Sequence, residues 1–418
     1  MAEPTRPPAA LRGEVSTPAS TRPATSEAPA SSAGASPGAG HPWTAAVDER
    51  SRIIRAQGRW RAPRRFDPAP ANDGSGWLAD DGRRVVDFAS NDYLGLARHP
   101  QVVASACEAT EQLGTGSGAS RLVSGSRSLH HRLEAALAGW KHTEAAVVFP
   151  TGFAANLGVL ATFGERGVLL CSDELNHASI VDGARLARAE VAVYRHGDVD
   201  HLDRVASGWP GRVLVVSDLV FSMDGDLAPV AELAGWCRRR QALLVLDEAH
   251  AVLGPDVGPL LQEVEAIRVG TLSKTLGALG GFAATSRRFA ELLVNQARPY
   301  IFTTAPTPAS AAAAVAALDI VTSAEGDQLR ARLSSHIEQV APGHPTPIVP
   351  VVLGAEAAAV AASEQLLAEG IWVPAIRPPT VPAGTARLRV TLSAAHRAAD
   401  LQRLAAALAA LRPAEAGR

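Results

Sequence analysis

The chain carries two lysines against 38 arginines, and one of the two closes the segment TLSK at Lys274. Arginine serves as well as lysine at most solvated positions, but a guanidinium stays protonated and cannot attack a carbonyl. A lysine amine can shed its proton and form a Schiff base. Twenty-seven residues upstream, the apolar run ALLVL (242–246) leads into Asp247 of DEAH, and His250 follows three residues later. A strand ending in a carboxylate, then a second apolar run ending in Ser/Thr-x-x-Lys, fits a pyridoxal 5'-phosphate (PLP) site. The lysine would hold the aldehyde and the aspartate would pair with the pyridinium nitrogen. Metal ligation by Asp-x-x-His is the competing reading. No third ligand stands nearby in a supporting pattern, so no metal is expected.

Other segments offer weaker chemistry. After VVFP comes Thr151-Gly152-Phe153-Ala154-Ala155-Asn156, a glycine turn opening a helix, whose free amides and dipole suit an anion such as a phosphate. FSMDGD (221–226) holds Ser222 and an Asp224-Gly225 turn. GTGSGAS (114–120) superficially fits a dinucleotide fingerprint, but that fingerprint needs a preceding strand, and VVASACEATEQL reads as a helix. His130 and His131 are adjacent, so at most one of them can face a site.

These residues need a scaffold, and the periodicity supplies one. From about 98 to 320, the short apolar runs EAAVVFP, RGVLLCS, VAVYRH, RVLVVSD, ALLVLDE, AIRVGTLS and GGFAAT alternate with helix-length segments. That pattern predicts an α/β domain with a mostly parallel sheet covered on both faces. Ligands of such sheets sit beyond the carboxyl ends of the strands, where every candidate above falls. Residues 321–418 change rhythm: helix, strand PIVPVVLG, helix, strands IWVPAIR and ARLRVTLS, helix, a smaller α+β unit with an antiparallel sheet. Between 43 and 97 come a helix (Thr44–Arg55), an arginine-rich connection, and a hairpin WLADDGRRVVDF turned by Asp81-Gly82.

With 418 residues and 47% hydrophobic content, the chain has material for a large core and two domains. A net charge of −2 gives no electrostatic case for nucleic acid or an acidic membrane. No apolar stretch is long enough to span a bilayer. Cys107, Cys171 and Cys237 match no zinc or redox spacing and read as buried thiols of a reducing cytosol, so the expected location is cytoplasmic. Residues 1–42 are Pro, Ala, Ser, Thr and Gly with almost no large apolar side chain, and read as a disordered tail. The tail has no apolar h-region, and its three arginines are balanced by three glutamates, unlike a secretory signal or a mitochondrial presequence.

Taken with SNDYLGL (90–96), VSG…LHHRLE (123–134), NHAS (176–179) and AIRPPTVPAGTARLRVTLSAAH (375–396), these motifs resemble the α-oxoamine synthases over about residues 50–410. Those are PLP-dependent transferases of fold type I, the aspartate-aminotransferase fold. The long final motif is most similar to members that condense L-alanine with a pimeloyl thioester in biotin biosynthesis. The resemblance implies that Lys274 holds PLP, that Asp247 pairs with the ring nitrogen, that His250 bonds the phenolic oxygen and that His130 stacks on the ring. It places Gly152 and Phe153 backbone near the cofactor, and Ser222 and Thr271 at the phenolic oxygen or phosphate. Thr303 or Thr304 would reach a partner subunit's phosphate in a homodimer with shared active sites. Arg389 and Asn91 would hold the alanine carboxylate, Thr380 would line the acyl site, and an arginine among Arg61, Arg64 and Arg65, by preference Arg65, would meet the distal pimeloyl carboxylate. The acyl carrier, CoA or acyl carrier protein, stays open. Two departures from the family pattern are AVLGPDVGP after DEAH, where closely spaced glycines are usual, and Thr275 after the lysine.

The implied activity is a decarboxylative acyl transfer. A sister synthase using glycine and acetyl-CoA is the nearest rival, and a catalytically silent protein of the same fold is the other. The complete set of Lys274, Asp247, His250 and Arg389 opposes silence.

Overall fold

The computed structural model describes residues 41–253 and 256–411. The tail expected over 1–42 therefore lies outside the described residues up to position 40. The chain is already helical at Pro42: α1 spans Pro42–Ala56, two residues earlier than the sequence suggested, because proline fits the first turn and His41 caps it through Nδ1. Strands β1 (Phe66–Pro68), β2 (Ser75–Leu78) and β3 (Arg84–Asp87) follow, all antiparallel, with Gly82 supplying the positive φ of the expected hairpin turn. Two helices, α2 (Pro100–Leu113) and α3 (Ser128–Lys141), lead into the main sheet. The helical α2 ends directly at Gly114, so the glycine-rich 114–120 stretch follows a helix and not a strand.

The main sheet contains β4 (Ala145–Phe149), β5 (Val168–Asp173), β6 (Glu190–Tyr194), β7 (Arg212–Asp218), β8 (Leu243–Asp247), β9 (Ala266–Thr271) and β10 (Gly281–Thr285). Their order is β4-β10-β9-β8-β7-β5-β6, and β10 alone runs against its neighbours. The connecting helices include α4 (Gly152–Phe163) and α5 (Ala178–Leu186). Side chains alternate across the sheet, as strand geometry dictates. Val245, Ile267 and Val269 pack under α4 and α5, while Leu244 and Leu246 pack on the opposite face. Each such aliphatic side chain contributes about 1.5–3 kcal/mol by leaving water.

In the C-terminal part, β11 (Ile348–Gly354), β13 (Ala375–Ile376) and β14 (Ala386–Thr391) form an antiparallel sheet in the order β11-β14-β13. The expected single strand IWVPAIR is split. Its first half, β12 (Ile371–Trp372), pairs parallel with β3 of the N-terminal sheet. Pro374 has no N–H to continue a ladder, and the chain leaves one sheet for the other there. The thiols also depart from expectation: Cys171 and Cys237 are buried, but Cys107 is exposed. On α2 it lies away from Val102 and Ala109, the two residues that helix buries.

Candidate active site

Strands β5, β7, β8 and β9 run parallel and end together at Asp173, Asp218, Asp247 and Thr271. Beyond those ends opens a cavity of about 1220 Å³ whose wall includes Lys274, His250, His177, Ser222, Asn91 and Arg389. The position is the one open α/β sheets reserve for ligands.

Asp247 is buried at the floor. Its Oδ2 accepts from Asn156 Nδ2 at 2.6 Å and its Oδ1 from the Ala249 amide at 2.9 Å. Asp218 stands beside it in register on β7. Burial, reinforced by the Asp247 charge, pushes the Asp218 carboxyl well above its ordinary range. Lys274 lies within reach of both carboxyl groups. Burial lowers its pKa and the Arg389 cation adds to that, while Asp247 and Asp218 oppose it.

Lys274 Nζ is 2.8 Å from His250 Nε2, and His250 Nδ1 meets the Tyr93 hydroxyl. Tyr93 donates to Asn91 Oδ1 at 3.2 Å, and Arg389 donates to the same oxygen at 3.1 Å. One proton arrangement satisfies every link: the lysine donates to Nε2, Nδ1–H donates to the phenol, and the phenol donates to the amide. That requires a neutral imidazole. Burial, then the Lys274 and Arg389 cations, hold His250 well below its usual pKa, as the arrangement needs.

At the start of α4, Thr151 caps through Oγ1 to the Ala154 amide at 3.0 Å. The first-turn amides of Gly152 and Phe153 lack intrahelical partners, which leaves them free to donate to an anion. A Cβ on Gly152 would come 3.1 Å from Thr271 Cβ, and one on Gly281 would come 2.4 Å from the Gly152 amide nitrogen, so glycine is what leaves this cradle open. A buried carboxylate for a ring nitrogen, an amine of lowered pKa, a neutral imidazole and a helix start free for a phosphate together fit PLP.

The sequence candidates divide in three. Lys274, His250, Ser222, Asn91, Thr380 and Arg389 line this cavity, Asp247 lies buried beneath it, and Gly152 and Thr271 lie against each other where α4 begins and β9 ends. Phe153 reaches the cavity residue His177 with its ring, edge-on with centroids 6.4 Å apart. His130 does not. It is fully buried, its Nδ1 accepts from the Arg127 amide at 3.1 Å and its Nε2 meets the Pro306 carbonyl at 2.9 Å, so both nitrogens brace the start of α3. The cavity position falls to His177, which caps α5 and whose own amide donates to Asp218 at 2.8 Å. Thr303 and Thr304 are exposed and do not line the cavity. Arg65 pairs with Asp80 at 2.6 Å and Arg64 with Glu364 at 2.5 Å; neither they nor Arg61 line it.

Sequence reasoning missed Tyr93, Asp218 and His177. Each sat in a quoted motif without a role. A signal existed for the last two, since both follow the carboxyl end of a main-sheet strand. Among the described residues there is no group of three or more His, Cys, Asp or Glu that could hold a metal ion. No described helix is long and apolar enough to cross a membrane.

Residues 83–408 match the family of class I and II aminotransferases. A curated 8-amino-7-oxononanoate synthase from Burkholderia thailandensis is 47% identical over 85% of this chain and 95% of its own length. Another of that name, from Geobacter sulfurreducens, is 46% identical over the same shares of the two chains. Among solved structures, a serine palmitoyltransferase holding PLP aligns with a TM-score of 0.81 at 29% identity, covering 88% of this chain and 97% of that one. An 8-amino-7-oxononanoate synthase from Francisella tularensis aligns with a TM-score of 0.67 at 25% identity, over 78% of this chain and 97% of its own.

Proposed function

Because the chain belongs to the 8-amino-7-oxononanoate synthases within the class I and II aminotransferases, we propose that it joins L-alanine to a pimeloyl thioester, on CoA or acyl carrier protein, releasing the carrier thiol and carbon dioxide. It is a PLP-dependent acyltransferase of the α-oxoamine synthase type. The observation that carries the reading is the hydrogen-bond chain from Lys274 through His250, Tyr93 and Asn91 to Arg389. It joins an amine able to lose its proton to a guanidinium able to hold a carboxylate, at two ends of one cavity.

When bound, PLP supplies an aldehyde for the amine and a ring that stores an electron pair. The chain's own residues do the rest. Lys274 Nζ, its pKa lowered, is the base that takes the Cα proton of alanine. Asp247 would keep a proton on the ring nitrogen, and His177 would take the ring contact expected of His130. Gly152, Phe153 and Thr271 would hold the phosphate, and Ser222 and His250 the phenolic side. Arg389 and Asn91 receive the alanine carboxylate. Thr380 and the prolines around it form the acyl wall, which brings the thioester carbon next to alanine and excludes water.

The protein works as a homodimer. Helix α1 buries none of its residues and exposes Trp43, while Val123, in the helical turn Arg121–Gly125, and Phe302 are 78% and 68% exposed beside the Ser120–Thr304 bridge. Apolar surface of that extent favours a second copy, which would bring Thr303 or Thr304 to a neighbouring site. Its compartment is the cytoplasm, where an exposed Cys107 stays reduced.

Exchanging the histidines tests the ring contact. His177→Ala should weaken PLP binding and kcat by about tenfold or more, in line with loss of an aromatic contact plus its packing. His130→Ala should lower Tm, since it leaves a buried amide and carbonyl unpaired at about 1–3 kcal/mol, with the absorbance of bound PLP unchanged. The reverse pattern would restore His130 to the ring. A donor panel tests the substrate. Pimeloyl thioester with L-alanine should exceed acetyl-CoA with glycine in kcat/KM by a wide margin, and the opposite preference would assign the chain to the sister synthase. Arg65→Ala should narrow the gap by roughly ten- to a hundredfold, mostly in KM, if that cation meets the distal carboxylate. An unchanged gap would move the role to Arg61 or Arg64.

A further inference from the structure

The second lysine, Lys141, is buried. Lys141 ends α3, and its Nζ donates to Glu248 Oε2 at 2.6 Å while lying 3.6 Å from the centre of the Trp140 ring. Arg268 on β9 meets the same carboxylate with two nitrogens, one of them 3.1 Å from Oε2, and donates to the Lys141 carbonyl at 2.7 Å. Two cations around one carboxylate, all under a tenth exposed, form a costly cluster. Replacing buried ion groups by packed apolar side chains is often neutral or stabilising, so bulk stability does not account for it.

Its place in the fold does. Glu248 directly follows Asp247, and strand alternation sends the two side chains to opposite faces of the sheet. Asp247 faces the cavity floor, and Glu248 faces α3. Every polar group of Glu248 is tied: its amide donates to the Val269 carbonyl at 2.7 Å, its carbonyl accepts from Ala251 at 3.0 Å, and its carboxylate takes Lys141 and Arg268. Residue 248 is thus the pivot of the turn that presents Asp247 and His250. Six residues past Arg268, the same β9 segment delivers Lys274.

We propose that Lys141, Glu248 and Arg268 are positioning residues that fix, from behind the sheet, the direction in which Asp247 and His250 face PLP. The proposal rests on the PLP reading of the cavity. None of the three touches the cavity wall, so they act through their neighbours.

The test compares the full wild-type chain with Lys141→Met/Glu248→Leu/Arg268→Met and with Glu248→Gln. The readouts are the PLP dissociation constant by equilibrium dialysis, the pH titration of bound-PLP absorbance, apo-protein Tm, and kcat against KM. The apolar triple variant should keep its apo Tm but bind PLP about 10- to 100-fold more weakly, the scale on which partners behind a site's ligands act. Its absorbance titration should shift, and kcat should fall with KM for L-alanine little changed. Glu248→Gln, which leaves two buried cations without a counter-charge, should melt lower and show the same spectral shift. Wild-type PLP affinity and titration in the triple variant would overturn the proposal. Failure of both variants to fold would overturn it too, making the cluster a stability element. A wild-type chain that took up no PLP would instead sink the functional reading, and this inference with it.

Discussion

Lys274→Ala and Lys274→Arg should both abolish product formation, by roughly four or more powers of ten, the scale on which removal of a nucleophile acts. The side chain lines a cavity and supports no core packing, so the apo-protein should melt near the wild-type temperature. Arginine preserves the positive charge beside Asp247 and Asp218, which makes it the sharper control. It keeps the electrostatics and removes only the amine that can lose a proton. Borohydride should fix PLP to the wild-type chain, read as a mass increase, and to neither variant. Substantial turnover in Lys274→Arg would mean another group does the chemistry.

Asp247→Asn should lower kcat by roughly two to four powers of ten, the equivalent of the ~3–5 kcal/mol lost when one partner of a buried charge pair is removed. PLP should still attach through Lys274, so cofactor content and rate part company. The amide oxygen can still accept from Ala249, but its NH2 cannot accept from Asn156, so that bond survives only through a flip that turns the unpartnered Asn156 Oδ1 toward it. What the amide cannot do is hold a proton on the ring nitrogen. Steady-state rates with matched PLP occupancy are the measurement, and near-normal activity would remove Asp247 from the mechanism.

The residues legible in the sequence were those whose chemistry allows one residue type. Only a lysine forms the imine, so Lys274 stood out in a chain that otherwise spends arginine. Strand-end position located Asp247, because a long apolar run has to stop where the sheet stops. His130 misled for a related reason. A doubled histidine opening a helix attracts attention, yet α3 precedes β4 and does not follow the carboxyl end of any main-sheet strand, whereas His177 comes directly after β5. Applying the strand-end rule to every histidine would have picked His177, the one that lines the cavity. Tyr93 and Arg389 are three hundred residues apart and meet only through tertiary contacts, so periodicity could not show that Asn91 joins them. The split of IWVPAIR at Pro374 was readable from proline chemistry, but its result, a strand shared with the N-terminal hairpin, was not. Arg65 faces Asp80 because a short hairpin offers it a nearby carboxylate, a pairing invisible to a motif.

With one lysine in a buried ion cluster and the other lining the cavity, the permanently cationic side chains on the described exterior are arginines. Thioesters acylate free amines without any catalyst, and an enzyme that gathers an activated acyl donor is the protein most exposed to that side reaction. Guanidinium groups resist it, because they stay protonated. Among the described residues no lysine amine is left on the surface for the donor to acylate, and the lysine amine at the cavity is Lys274, the one we assign to PLP.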